Sequence, residues 1–529
     1  MEKIRKIERT IDSAHKSHAI FNYSMGQAIF NTVRIFEDMC RLGVIGGIGE
    51  KGEYNRGLKH ARTYLDALTI AIKWIYDNYD KHECDDFDFI FSDEDALIAF
   101  DFLINYAKPY FGICCGFIGY SRGFFQANID ETESIVTFTT SEKQMKICVA
   151  DLAERIRKDS CVSLADGAID STLRYQIEDD IFFKEERLCY NIDSNVWGEV
   201  KRLAVLQWDA SKTFPDNWQF DLFSMKEFRR VWIQITALCY YHSSACIFSG
   251  VKGGSVEDCV IVQKREDLIQ FIVNKTYIDK KIVTDILDYL TYDNSIVNND
   301  VIFQPLIQIN KYLLITPYLF MMSRPDRNLI SLIAKKNDSH YFEITNELEA
   351  IMQDELDLTI NGTNILKRRN INLDIALPDV DFAIYFIDCN IMLLCELKWL
   401  NDADSPTELF AKIEEIEHGL DQLVRVEEYV KSNPKGYFKK IFSQANCNTT
   451  CNYCVVAKNN IQSLTDRYPV IGMRQLVNVI SSNISVDAVN IINNRTYYEP
   501  CPIGLELKNE EIIYANHIIS VPAMVLSKN

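Results

Sequence analysis

The sequence predicts a mixed fold, in which a large, mainly α-helical N-terminal region precedes a C-terminal α/β domain. The chain has 529 residues, more than one ordinary hydrophobic core can hold. Apolar residues recur at helical spacing through most of residues 1–300. In the C-terminal third, short apolar runs alternate with longer helical patterns. We therefore expect a helical region over residues 1–300 with room for two subdomains, a connecting strand pair over 301–340, and the α/β domain over 341–529.

Helix-start patterns and glycine content predict the elements of the N-terminal region. The Ser92-x-x-Asp95 pattern opens a helix that runs through Tyr106, and Ser141-x-x-Gln144 opens another through Arg157. Four glycines within Phe111–Phe125 are expected to interrupt the helical run. The remaining predictions are helices at Ala61–Tyr79 and Lys264–Tyr292, a strand at Ile135–Thr139, and a strand pair formed by Val301–Ile309 and Tyr312–Phe320.

The longest apolar stretch without charges, Val231–Val251, is predicted to be a buried helix. It contains Gln234, His242 and two serines, and it follows a capping pattern that begins at Ser224. A membrane span needs about 20 predominantly apolar residues. We therefore expect no membrane partner.

Composition predicts a folded chain in a reducing compartment. Hydrophobic residues make up 47% of the chain, and no low-complexity segment interrupts it, so long disordered linkers are not expected. The N-terminus is charged and helical rather than signal-like, and the 16 cysteines are scattered. We expect free thiols and a cytoplasmic location. The helical region carries no recognisable catalytic motif, and we expect it to mediate homo-oligomerisation or contact with a partner protein.

The most informative stretch is Leu377–Trp399, in which two apolar runs flank a turn-like Asp-Cys-Asn segment and predict a β-hairpin. Asp381 lies where the first strand begins, with Asp379 as the alternative, and Glu396 and Lys398 end the second strand. Residues two apart on a strand point to the same face, so Glu396 and Lys398 share one. Two acids and an ammonium group on adjacent strands are the equipment for metal-dependent hydrolysis of a phosphodiester.

This hairpin resembles the PD-(D/E)xK nuclease superfamily, which has a restriction-endonuclease-like core. The family motif is an Asp at the start of one strand and Glu/Asp-x-Lys on the next, and Asp381, Glu396 and Lys398 match it over a resemblance that covers residues 340–480. The resemblance implies that Asp381 and Glu396 bind Mg²⁺ or Mn²⁺, with the Leu397 carbonyl as a further ligand. It also implies that Lys398 orients or helps to deprotonate the attacking water, and that DNA is the substrate.

The segment before the hairpin carries a further candidate catalytic residue. Thr345–Met352 is predicted to be helical, with Asn346 as its N-cap. The family core begins with a helix that carries a Glu near the metal, and Glu349 is our candidate, with Glu347 as the alternative. In its other interpretation, Glu349 is a first-turn acid that favours the helix dipole.

The segments around the hairpin also suggest DNA contacts. Thr407–Lys431 is predicted to be an amphipathic helix, and its Gln422 loosely matches a family glutamine near the DNA backbone. The net charge of −19 is unfavourable for DNA binding, but Lys367, Arg368 and Arg369 stand together before the hairpin. These three residues either flank a nuclease cleft or form a solvated loop.

Three closely spaced cysteines follow the predicted Thr407–Lys431 helix. They are the only cysteines in the sequence whose spacing resembles a known motif. Cys447, Cys451 and Cys454 are spaced as in some family members that hold an iron–sulfur cluster. A fourth matching cysteine is not evident, so a loop with reduced cysteines is favoured over a cluster. A strand at Cys454–Lys458 and a turn and helix over Arg467–Ile480 complete the predicted core.

These features predict a Mg²⁺-dependent deoxyribonuclease in a defence or restriction setting, controlled or directed by the helical region. The alternative is a non-catalytic helical interaction scaffold that carries a degenerate nuclease-like domain. In that case Glu396 and Lys398 form an exposed ion pair of little energetic value. Geometry separates the two hypotheses, because carboxylates more than about 7 Å apart cannot share one metal ion.

Overall fold

The computed structural model describes residues 2–45, 64–79, 91–130, 134–141, 171–184, 187–211, 214–249, 258–336, 338–372, 379–403, 406–432, 434–459, 467–497 and 505–526. The chain divides into two compact units. The first comprises Met1–Cys114, Asp159–Lys336 and Ile512–Ile518, and the second comprises Cys115–Lys158, Asn337–Glu511 and Ile519–Asn529. Helices and strands are both abundant, so the predicted mixed fold class is confirmed.

The described helices are numbered in chain order. They are α1 (Glu2–Ser13), α2 (Met25–Ile45), α3 (Leu65–Asn78), α4 (Asp93–Asp101), α5 (Lys108–Ser121), α6 (Ser171–Asp180), α7 (Ser194–Ser211), α8 (Met225–Ser249), α9 (Arg265–Thr276), α10 (Lys280–Leu290), α11 (Pro317–Met322), α12 (Pro325–Lys336), α13 (Asp338–Thr359), α14 (Pro406–Ser432), α15 (Pro434–Ile441), α16 (Met473–Ser482) and α17 (Ser485–Asn493). Two 3₁₀ turns, Ala14–Ser17 and Ala19–Asn22, follow α1, and a π-helical turn, Phe102–Ala107, joins α4 to α5.

The described strands form four sheets. They are β1 (Gln126–Asp130), β2 (Ile135–Thr139), β3 (Ile181–Lys184), β4 (Arg187–Tyr190), β5 (Ile261–Lys264), β6 (Leu306–Ile309), β7 (Tyr312–Ile315), β8 (Ile365–Ile371), β9 (Val380–Phe386), β10 (Ile391–Lys398), β11 (Thr450–Ala457), β12 (Val470–Gly472), β13 (Leu505–Tyr514) and β14 (His517–Leu526). The strand orders are β1-β2-β14-β13, β3-β4, β5-β7-β6 and β12-β11-β10-β9-β8.

Several elements of the first unit follow the sequence closely. Helix α3 lies within the predicted segment, and α4 begins with a complete capping box in which Ser92 and Asp95 bond each other's main chain. The predicted buried helix at Val231–Val251 is α8, and most of its described side chains are buried. Among the residues that the structure describes, no helix is long and apolar enough to cross a membrane. The helix predicted from Ser141 lies mainly outside those residues.

Two predictions about the N-terminal 340 residues are wrong. The glycines after Phe111 do not break the helix, because α5 continues to Ser121. A Cβ atom at Gly116 would lie 2.7 Å from the ring of Phe138, so glycine serves close packing there. The second strand of the predicted pair ends at Ile315, and Pro317 opens α11 instead of extending the strand. This pair, β6 and β7, forms a three-stranded sheet with β5.

The second unit is built around the five-stranded sheet. β8, β9 and β10 are antiparallel neighbours, and β10, β11 and β12 run parallel. Alternate side chains of these strands enter two separate apolar clusters. One cluster includes the buried stripe of α14, and the other includes α13, α16 and α17. Helices therefore cover both faces of the sheet, as a sheet with a parallel half requires.

Two local predictions in the second unit are also wrong. Helix α13 begins at Asp338, so Asn346 lies inside the helix and is not its N-cap. Glu349 is therefore not a first-turn acid, and the helix dipole does not account for it. Lys367, Arg368 and Arg369 lie on β8 rather than on a solvated loop. The antiparallel ladder with β9, which an edge strand of mixed polarity can form, explains the difference.

Candidate active site

The predicted hairpin is present and sets the position of the candidate site. β9 and β10 pair antiparallel from Ile391↔Phe386 to Cys395↔Phe382. The turn residue Asn390 has φ of 53°, a left-handed conformation that asparagine tolerates. Its side chain accepts hydrogen bonds from Tyr385 Oη (2.9 Å) and Thr449 Oγ1 (2.7 Å), which fixes the turn. The beginning of β9 therefore lies beside the end of β10.

Strand alternation directs the three motif residues to one face of the sheet. Glu396 and Lys398 have the parity of Met392 and Leu394, which pack in the cluster beneath α14. Asp381 has the parity of Ala383 and Tyr385, which lie in the same cluster. Asp381, Glu396 and Lys398 therefore converge at one end of the sheet, on its α14 face.

The carboxyl groups of Asp381 and Glu396 are in direct contact. Asp381 Oδ2 accepts a hydrogen bond from the Leu397 amide at 2.7 Å, and the Asp381 carboxyl also hydrogen-bonds to that of Glu396. Their separation is thus well within the range that two ligands of one metal ion require. This proximity permits a shared metal ion, and cleavage activity stays a prediction.

Glu396 and Lys398 form a buried ion pair. Lys398 Nζ donates to Glu396 Oε1 at 2.7 Å, and the side chains are only 17% and 5% exposed, respectively. The exposed pair assumed by the scaffold alternative is therefore absent at this position. Burying the Glu396–Lys398 pair costs solvation energy, which the attraction between the two charges need not repay. A contribution to folding stability therefore does not explain why the pair is buried.

The pKa shifts follow from this burial and from the crowding of like charges. Burial, followed by the neighbouring Asp381 carboxylate, raises the pKa of Glu396 to about 8. Burial also raises the pKa of Asp381 against the lowering effects of the Leu397 amide and Lys398. Burial alone would lower the pKa of Lys398, but Glu396 and the other carboxylates raise it. Without a cation, the two acids cannot both ionise easily.

Helix α13 brings Glu349 to the same end of the sheet. Glu349 Oε1 accepts a hydrogen bond from the Trp399 amide at 3.3 Å. Burial raises its pKa, with Lys398 acting in the opposite direction and Asp381 adding to the rise. One turn later, Gln353 donates to the Asp381 carbonyl at 3.4 Å. Glu349 therefore lies beside the motif residues, and its catalytic role stays a prediction.

The main-chain carbonyl of Leu397 points to the side where Asp381 lies. The Lys398 carbonyl accepts from the Lys458 amide at 3.0 Å on the β11 side. Peptide groups alternate between the two sides of a strand, so the Leu397 carbonyl faces the β9 side. The β9–β10 register ends at Cys395↔Phe382, which leaves this carbonyl beyond the ladder.

Helix α14 contributes residues that the sequence prediction missed. A Cβ atom at Gly419 would lie 3.1 Å from Lys398 Cε and 3.3 Å from Glu396 Cγ, so the helix backbone presses against both side chains. Glu415, one turn earlier, has its pKa raised by burial and lowered in part by Lys412 and Lys398. The 415–419–422 spacing of one helical face could have revealed them.

Gln422 lies on the same face of α14, one turn beyond Gly419. Its Oε1 atom is buried and has no hydrogen-bond partner among the residues that the structure describes. A buried acceptor without a partner is costly. The position is compatible with the predicted contact to a substrate, which stays a prediction.

The three predicted basic contacts on β8 are engaged inside the protein. Lys367 pairs with Asp357 at 3.3 Å, and Arg369 bonds to Asp354 and Asp357. Arg368 donates to the main-chain carbonyls at the end of α15, at 2.9 Å for Ile441. Their charges are thus largely compensated by internal partners, and a role in DNA contact stays a prediction.

The patterned cysteines do not converge. Cys451 and Cys454 are three residues apart on β11, so they face opposite sides of the sheet, and each packs in a different apolar cluster. Cys447 is exposed in the preceding turn. Cys454 instead lies opposite Cys395, with the sulfurs 3.5 Å apart. One cluster cannot be held by these three sulfurs in this arrangement.

The donor atoms at the site fit a hard divalent cation. Asp381, Glu396 and the Leu397 carbonyl offer oxygen ligands, which Mg²⁺ and Mn²⁺ prefer. Within the described ranges, no group of three or more His, Cys, Asp or Glu side chains is already arranged around a common metal position. Asp381 and Glu396 are a pair, and a third acid, Glu349, accepts a hydrogen bond from the Trp399 amide.

Comparison of the chain with family models, with curated proteins and with solved structures finds no match. The resemblance to the nuclease superfamily therefore depends on the motif residues and on their placement in this fold.

Proposed function

We propose that the second unit is a restriction-endonuclease-like domain that hydrolyses DNA phosphodiester bonds with Mg²⁺ or Mn²⁺. The observation that carries the proposal is the convergence of Asp381, Glu396 and Lys398 at one sheet end. Asp381 and Glu396 touch, and Lys398 bonds Glu396 at 2.7 Å. Glu396 is buried, and Asp381 and Lys398 are half-buried.

In this proposal Asp381, Glu396 and the Leu397 carbonyl hold the cation. The cation supplies Lewis-acid stabilisation of the charge that develops on the phosphate. Glu349, which accepts a hydrogen bond from the Trp399 amide, would be a further acid near the cation. Burial keeps water competition low and strengthens each of these interactions.

Lys398 contributes a positive charge to the site. The surrounding carboxylates raise its pKa against the lowering effect of burial. Its ammonium can orient the attacking water by hydrogen bonding and stabilise the negative charge of the transition state. Deprotonation of the water is the other role that the resemblance implies.

A plasmid-cleavage assay tests the proposal. Supercoiled DNA is incubated with the full chain in Mg²⁺, Mn²⁺ or EDTA, beside Lys398→Ala and a Lys280→Ala control, whose lysine forms an exposed ion pair with Glu266. We expect cleavage with either metal, none with EDTA, and a loss of at least about a hundredfold for Lys398→Ala only. Metal-independent cleavage, or equal rates for all three proteins, would overturn it. Absence of cleavage of this DNA, and of single-stranded RNA incubated in a parallel reaction, would favour the scaffold.

A further inference from the structure

A cavity of about 410 Å³ lies within the first unit. Buried side chains of Phe30, Leu238 and His242 line it, together with half-buried Tyr190 and Phe271. Pockets for small organic molecules begin at about 300 Å³. The cavity thus has room for one small ligand, and its aromatic lining suits a flat one.

One border of the cavity is an unpaired edge of β4. In the described part of the chain, β4 pairs with β3 alone. The Asn191 amide donates to the Asp180 carbonyl at 3.3 Å, so the peptide groups of Asn191 face β3. Because successive residues of a strand direct their N–H and C=O groups to opposite sides, those of Leu188 and Tyr190 point away from β3. The Leu188 amide confirms this direction, because it donates to Asp258 Oδ2 at 2.6 Å.

A second border is an unpaired edge of β5, which pairs with β7 alone within the described ranges. The Arg265 amide bonds the Lys311 carbonyl at 2.9 Å, so the peptide groups of Val262 point away from β7. The outward N–H and C=O groups of Val262 and Tyr190 have no hydrogen-bond partner among the described residues. Peptide groups that are shielded from water and lack a hydrogen-bond partner are rare in proteins. Here the N–H and C=O groups of two residues, Val262 and Tyr190, border the same cavity.

His242 and Tyr190 add a defined polar group. His242 Nε2 lies 2.5 Å from the Asp258 carbonyl, which can only accept, so this nitrogen carries the hydrogen. Nδ1 then accepts from the Tyr190 hydroxyl at 3.2 Å. Burial lowers the pKa of His242 to about 4, so the imidazole stays neutral. With its proton committed to His242, the Tyr190 hydroxyl oxygen is left as an acceptor.

The charge of the described lining disfavours an anionic ligand. No Lys or Arg is among the described residues that line the cavity. Asp258, the carboxylic acid among them, already accepts from the Leu188 amide. A phosphate would thus enter without a compensating cation, and a buried unpaired charge is strongly disfavoured.

We propose that this cavity binds an uncharged planar heterocycle with hydrogen-bond donors and acceptors on its edges, of the nucleobase or nucleoside class. Aromatic side chains stack on flat rings, and strand edges present the N–H and C=O groups that complement a base edge. The site lies wholly in the first unit and does not depend on the nuclease chemistry proposed for the second.

Isothermal titration of the full chain with adenosine, guanosine, cytidine and uridine tests the proposal, with each 5′-monophosphate as the charged counterpart. We expect one nucleoside to bind with 1:1 stoichiometry, and its monophosphate to bind at least about tenfold more weakly. Phe271→Ala should weaken the nucleoside by about tenfold through loss of stacking. Phe182→Ala, which removes an exposed phenylalanine of the same unit that does not line the cavity, is the matched control.

A second variant keeps the proposal testable if Phe271→Ala does not fold. Leu238→Trp should fill the cavity and abolish binding while the circular dichroism spectrum and Tm persist. The proposal is overturned if no nucleoside binds at millimolar concentration. It is equally overturned if nucleoside and monophosphate bind alike, or if folded Phe271→Ala and Leu238→Trp bind like the wild type.

Discussion

Glu37 in the first unit and Glu396 in the second are both buried glutamates with raised pKa values, yet their surroundings differ. Burial raises the pKa of each carboxyl group. Both oxygens of Glu37 lie 3.2 Å from the Tyr318 amide, in the first turn of α11, so this carboxyl satisfies a helix N-terminus. Glu396 instead faces the Asp381 carboxyl and the Lys398 ammonium.

Burial and a shifted pKa therefore do not by themselves identify a functional site. Glu37 has a structural task, since it supplies the acceptor that an orphan amide needs. Among the described residues, no main-chain amide donates a hydrogen bond to Glu396, and this acid stands next to a second one at the end of a strand. Convergence of like charges is the stronger indicator of a site.

The largest expected effect is on cleavage. Glu396→Gln or Asp381→Asn should reduce DNA cleavage by at least about a thousandfold, because each removes a charged metal ligand. The Tm of the metal-free protein should stay unchanged or rise, since crowding between the two acids is relieved. Cleavage rates and thermal melts measure the two effects. A variant that unfolds the domain would show that the residue is structural.

Glu37→Ala should have the opposite signature. The substitution leaves the Tyr318 amide without its acceptor and opens a small cavity, so we expect a loss of about 2–4 kcal/mol and a Tm lower by several degrees. Metal-dependent cleavage at a temperature where the protein is folded should persist. Glu266→Ala, which removes an exposed acid from the same unit, is the control and should change the Tm little. An unchanged Tm for Glu37→Ala would contradict the structural role.

The pH dependence of stability should separate the two glutamates further. A folded-state pKa of about 8 for Glu396, above the ordinary 4.5, means that its protonated form favours folding. This contribution is complete below about pH 4.5 and is lost as the pH rises through about 8. Thermal melts in EDTA should therefore show a smaller decline across this window for Glu396→Gln than for the wild type. Saturating Mg²⁺ should flatten the wild-type curve, because the metal binds the deprotonated acids.

Much of the second unit could be predicted because its pattern is local. Two-residue alternation and a turn placed Glu396 and Lys398 on one strand face, and antiparallel pairing brought Asp381 beside them. Non-local features escaped prediction. The strand character of Lys367–Arg369 depends on pairing with β9, and the helical continuation at Gly116 depends on the ring of Phe138. Helical spacing places Gly419 on the same face as Gln422, but only the fold shows which side chains it touches.

Gly419→Ala should have an intermediate effect on cleavage. An added Cβ would crowd Lys398 Cε at 3.1 Å and Glu396 Cγ at 3.3 Å, which should displace the ammonium and lower the cleavage rate by about tenfold. Gly198→Ala is the matched control, because Gly198 also lies in a helix and a Cβ there meets nothing within 4 Å. That control should leave cleavage unchanged and stabilise α7 by about 0.5–1 kcal/mol. Equal cleavage by both variants would show that contact with α14 does not position the ion pair.

The smallest expected effect on function belongs to Arg368. Its guanidinium donates to the carbonyls of Lys440 and Ile441, where it satisfies acceptors at the end of α15. A side chain committed to these bonds has little charge to offer a phosphate. Arg368→Ala should therefore lower the free energy of unfolding by about 1 kcal/mol and change DNA affinity by less than about twofold. The slope of log K against log salt should stay the same, because no phosphate contact is lost. A slope lower by about 0.9 would instead assign one released counterion to Arg368 and restore β8 to the DNA-binding surface predicted from the sequence.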